Sequence, residues 1–92
     1  MEVVDYCRNV ENELTAWKAK LFDAGTRMEK LPFNSRRLFQ PKLGELRIMV
    51  ALVEDRICML KARRPKEWGR FKEDIEEKIN ALHESYGELM DS

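Results

Sequence analysis

The sequence predicts an all-α protein, an antiparallel up-down-up three-helix bundle with coiled-coil-like packing. Nine seam positions of its first segment, Val3, Cys7, Val10, Leu14, Trp17, Leu21, Ala24, Met28 and Leu31, are all apolar and alternate by four and three residues. That 3.5-residue period marks a helix lying lengthwise against other helices. Two further segments carry a stripe of the same kind, and proline-containing turns separate the three. Charge is segregated as well: residues 1–30 hold five Lys/Arg against six Asp/Glu, residues 31–70 ten against four, and residues 71–92 two against seven, giving −1, +6 and −5. A basic second helix gains by lying beside an acidic third one and is penalised by pairing with itself in parallel.

The first helix is expected over about residues 2–31. Gly25 interrupts it, and Thr26-Arg27-Met28-Glu29 reads as a capping box able to restart a helix there. Met28 and Leu31 nevertheless keep the upstream phase, which favours one continuous helix. Leu31-Pro32-Phe33-Asn34-Ser35 is the clearest turn, because Pro32 stops the first helix and Asn34 or Ser35 can cap the next. The second helix, about 35–63, either begins at Ser35 and bends at Pro41 or begins at Gln40 with Pro41 in the first helical position, where a missing N–H is harmless. Its stripe is Leu43, Leu46, Val50, Val53, Ile57 and Leu60, extended backwards by Phe39. Arg63-Arg64-Pro65-Lys66 predicts the second turn; the alternative is a long helical hairpin with a kink at Pro65. The third helix, about 66–90, presents Trp68, Phe71, Ile75, Ile79, Leu82, Tyr86 and Leu89, with a stutter that locally relaxes the supercoil.

A chain of 92 residues, 37% charged and 43% hydrophobic, suits a single helical domain of amphipathic rods rather than a disordered segment. Zero formal net charge provides no global pull toward nucleic acid or anionic lipid. The start, MEVVDYC, is acidic and lacks an apolar run, and no stretch approaches a membrane span. With two cysteines far apart and no CxxC, a reducing cytoplasm is the expected location. If the first two helices turn about Phe33–Asn34, Cys7 falls next to Cys58–Leu60, which raises redox locking of the hairpin as a hypothesis.

The second helix carries a further apolar set, Ile48, Leu52 and Met59, almost opposite its main stripe. Two explanations compete. In one, the helix is central and packed on both sides. In the other, Ile48, Leu52 and Met59 bind another molecule, either a second copy in a homo-oligomer or a helical protein partner. A rival function uses the basic turn, where Arg63, Arg64, Lys66 and Arg70 surround Trp68 and could grip phosphates beside an unpaired base. Nucleic acid is the lesser expectation, since Trp68 already has a place in the third stripe.

Equipment for chemistry is not apparent. His83 stands without HExxH, ExxH or a second histidine. Ser35 and Ser85 have no motif around them, and Cys7 sits on a seam where a thiol behaves as a small hydrophobe. Glu73/Asp74 and Glu76/Glu77 point in different directions on a helix and read as a solvated face. The expectation is a non-enzymatic interaction or structural module with no metal, no cofactor and no small-molecule substrate.

Two stretches, Glu13-Leu14-Thr15-Ala16-Trp17-Lys18-Ala19-Lys20-Leu21-Phe22-Asp23 and Lys66-Glu67-Trp68-Gly69-Arg70-Phe71-Lys72-Glu73-Asp74-Ile75, carry a resemblance. They are similar to an uncharacterised family of short bacterial coiled-coil proteins, with Leu-x-x-Trp-x-x-x-Ile/Leu-x-Asp early and Trp-x-x-Leu/Phe-Lys opening the last segment. The resemblance implies a coiled-coil fold and brings no assigned activity, so no site residue follows from it. The Leu31–Pro41 stretch departs from the pattern by being richer in turn signals than a plain helical hairpin.

Overall fold

The computed structural model describes residues 2–63 and 65–91. Three helices follow one another, α1 (Val3–Glu29), α2 (Phe33–Arg63) and α3 (Gly69–Asp91), in a rod of 50 × 18 × 17 Å. Cross-helix pairs fix the directions. Lys18 meets Glu54 at 2.6 Å and Glu11 meets Lys61 at 2.7 Å, so α1 and α2 are antiparallel. Arg56 reaches Asp74 at 3.2 Å, turning α3 against α2, while Glu13 and His83 lie 3.4 Å apart on the parallel pair α1 and α3. The up-down-up three-helix bundle expected from the sequence is the observed architecture.

Each stripe enters the core as its spacing requires. All nine seam positions of the first segment are buried or half-buried, as are all six of α2. Ile75, Ile79, Leu82 and Leu89 of α3 complete the core, with Trp68, Phe71 and Tyr86 packed against it. Each such aliphatic side chain withdrawn from water stabilises the fold by roughly 1.5–3 kcal/mol. Tyr6, outside the predicted stripe, is buried too.

Helix α1 runs through Gly25 unbroken. A Cβ at that position would stand 3.1 Å from Arg47 Nη2 and 3.7 Å from Leu43 Cδ2, so the glycine marks a close approach of α2 rather than a break. The first turn is tighter than expected. Helix α2 starts at Phe33, two residues before Ser35, with the Pro32 carbonyl accepting the Arg36 N–H at 2.9 Å. Neither Asn34 nor Ser35 caps it. Arg36 also donates from Nη2 to the carbonyls of Glu29 (3.4 Å) and Leu31 (3.3 Å), serving acceptors at the end of α1 that have no intrahelical donor. Pro41 lies inside α2 on its exposed side, where water can reach the carbonyl its ring leaves without a donor.

At the second turn the chain leaves α2 at Arg63 and re-enters helix at Gly69, so the kinked-hairpin alternative is not what forms. Residues 66–68 belong to the turn, and α3 begins three residues later than expected. The Trp68 carbonyl accepts the Lys72 N–H at 3.0 Å and opens the new helix.

The hairpin register also differs from expectation. Glu11 opposite Lys61 and Lys18 opposite Glu54 place Cys58 in a shallow depression shared with Leu14 and Thr15. Leu14 is two helical turns along α1 from Cys7. Both thiols are free, Cys7 buried and Cys58 exposed, so the redox lock raised as a hypothesis is not formed. Burial, and secondarily Glu11, pushes the Cys7 thiol pKa upward and keeps it neutral.

Backbones of α1 and α3 stay more than 8 Å apart between Cα atoms, whereas both approach α2 closely. Large side chains bridge that wider seam. Tyr6 tilts against Trp68 with centroids 5.4 Å apart, and Trp17 meets the rings of His83 and Tyr86 edge-on. Lys20 Nζ covers the Trp17 ring at 4.6 Å from its centroid.

Candidate functional site

A helix in a triangular bundle needs only one buried stripe, because both neighbours sit on the same side of it. Helix α2 follows that rule: Leu43, Leu46, Val50, Val53, Ile57 and Leu60 are all buried in the core, and the helix packs on both α1 and α3. Its second apolar set is therefore left outside. Ile48 is 61% exposed and Leu52 46% exposed, while Met59 is half-buried. The two-sided packing that would have explained these residues is not found, although α2 does touch both other helices.

The face they define is longer than those residues alone. Leu38, 73% exposed, and Pro41 continue it toward the first turn. Positions 38, 41, 45, 48, 52, 55 and 59 advance by three and four, the same period as the buried seam but on the opposite side of the cylinder. Glu45 and Asp55 occupy the polar positions of this outer stripe. Both are exposed, and among the described residues neither has an ion-pair partner. Sequence reading found Ile48, Leu52 and Met59 and missed Leu38, Glu45 and Asp55. Extending the 3-4 count through the polar positions supplies them.

At its first-turn end the stripe borders a depression of about 350 Å³ whose floor includes Leu31, Phe39, Leu89 and Met90, with Leu38 on its rim. A bulky apolar side chain from a partner fits a recess of this kind.

The basic turn is arranged differently from a stacking site. Arg63, Lys66 and Arg70 are exposed, and Arg64 lies outside the described residues. Trp68 is half-buried with its ring against Tyr6, so part of the indole that a flipped base would need is already in contact. Among the described residues the turn thus brings three cations to one end of the rod, beside an indole already engaged by Tyr6.

Near the middle of the α1–α3 seam, His83 Nε2 faces Glu13 Oε1 and its ring contacts Trp17. The histidine is exposed, the ordinary expectation for a lone histidine on an amphipathic helix, and engaged on two sides. Among the described residues no group of three or more His, Cys, Asp or Glu side chains could hold a metal ion. No described helix is long and apolar enough to cross a membrane.

No family model matches the chain, and no curated protein or solved structure is significantly similar to it.

Proposed function

We propose that the chain is a non-enzymatic helical interaction module that docks an amphipathic helix of a protein partner along the outer face of α2, around Ile48, Leu52 and Met59. One observation carries this reading: Ile48 and Leu52 stay exposed although they repeat the spacing of a packing seam. Scattered exposed apolar residues need no explanation, whereas a stripe in helical register is the form in which one helix presents itself to another. The recess beside Leu38 extends the same surface. A reducing cytoplasm is the setting that keeps the Cys7 and Cys58 thiols free.

The test starts in the native cell, with a photo-crosslinking side chain at position 48 and, as control, at exposed Asp23 on α1. A protein captured from position 48 alone is then purified and mixed with the wild-type chain and with Leu52→Glu. A one-to-one complex with wild type that is lost with Leu52→Glu supports docking at this face. Equal binding by both chains would overturn it.

A further inference from the structure

We infer that the helix accepted by this face is not a second copy of the chain but one with a cationic side chain on each side of a central apolar pair. The inference rests on the docking reading above and deepens it by naming the partner's chemistry. The outer stripe of α2 falls into two columns, Leu38, Glu45, Leu52 and Met59 in one, Pro41, Ile48 and Asp55 in the other. The columns decide which helix can lie on them.

Consider first a second copy. Antiparallel pairing that sets Ile48 against the copy's Leu52 also sets Glu45 against the copy's Asp55, twice. Sliding by one heptad in either direction puts a carboxylate on Ile48 or Leu52 instead. Parallel pairing stacks Glu45 on Glu45 and Asp55 on Asp55. Every register that uses the apolar pair therefore either brings like charges together or buries a carboxylate against aliphatic carbon, and both are unfavourable. Such repulsive placement is how helices reject wrong partners.

The same two carboxylates are well placed to select a different helix. The other acids in cross-helix or intrahelical pairs here are already taken up, Glu54 of α2 by Lys18 and Asp74 of α3 by Arg56 and Lys78. Glu45 and Asp55 are left over, and no cation stands at the helical neighbour positions of Asp55, which are Ala51, Leu52, Cys58 and Met59. Lys42, three residues before Glu45, forms no ion pair with it. A partner helix reading cation-x-x-apolar-x-x-x-apolar-x-x-cation covers Ile48 and Leu52 and neutralises both acids. The pattern is palindromic, so it fits in either direction.

The chain itself supplies the probe. Glu45→Lys/Asp55→Lys changes two exposed positions and converts the outer face into the required pattern. By light scattering and sedimentation, wild type alone and the variant alone remain monomers. Their mixture forms a one-to-one heterodimer, with an apparent Kd about tenfold or more below that of either self-association and weakening as salt is added. A wild-type homodimer abolished by Leu52→Glu overturns the inference while leaving the docking face standing. So does a monomeric mixture when Glu45→Leu/Asp55→Leu self-associates through the stripe. If none of these chains associates in any combination, the docking face itself falls.

Discussion

The ring of Trp17 meets that of Tyr86 edge-on, with centroids 5.2 Å apart and planes at 82°. This pair spans the one seam of the bundle where backbones do not approach closely, so α1 and α3 are held together by side-chain bulk. Trp17 is 1% exposed and touches His83 as well. Trp17→Ala is expected to lower the unfolding free energy by about 3–5 kcal/mol, a large share of a small domain's stability. His83→Ala, at an exposed position, should cost under about 1 kcal/mol. Urea titrations followed by circular dichroism check both values.

Tyr6 supplies a pH signature. Its phenol has its pKa pushed up from 10.0 to about 12, first by burial and then by the charges of Glu76, Cys7 and Glu13. An acid whose folded pKa is raised stabilises the fold fully below its unfolded pKa and loses that contribution as pH climbs through the folded one. Stability should therefore fall between pH 10 and about 12, by about 2–3 kcal/mol from this group. Tyr6→Phe should flatten that part of the pH–stability curve. An unchanged alkaline loss in the variant would exclude Tyr6 as its source.

The two thiols should differ sharply in reactivity. Cys58 is exposed and Cys7 buried with its thiol held neutral. A disulfide-exchange reagent is expected to modify one thiol per chain rapidly under native conditions and the second only on unfolding. Cys58→Ser should abolish the fast phase. Two equally fast thiols would contradict the burial of Cys7.

The fold was legible because seams are local patterns. The 3-4 spacing from Val3 to Leu31 announced α1 through Gly25, and the run from Leu43 to Leu60 announced the buried side of α2. What escaped depends on contacts between helices. Cap preference favoured Asn34 and Ser35 at the start of α2, yet Pro32 opens that helix and Arg36 closes the one before it. The shift in hairpin register that separates Cys7 from Cys58 comes from how α2 lies along α1, which turn residues alone do not determine. Tyr6 was missed, and the ring contact of His83 was not foreseen, because their partners lie far away in the chain. The outer face of α2 was half legible: its apolar members broke the expected amphipathic pattern, while Glu45 and Asp55 carry no signal in the sequence and stand out only because neither has an ion-pair partner among the described residues.

The central claim is that Ile48 and Leu52 serve a partner and not the fold. Gel filtration of the tagged chain from its native cells, as wild type and as Ile48→Gln/Leu52→Gln, tests it most directly. The wild type should elute in a complex larger than its own 10.9 kDa, and the variant, with equal helical content and unfolding free energy within about 0.5 kcal/mol, at the size of the free chain. Identical elution of the two, or a variant destabilised by about 2 kcal/mol or more, would contradict the account.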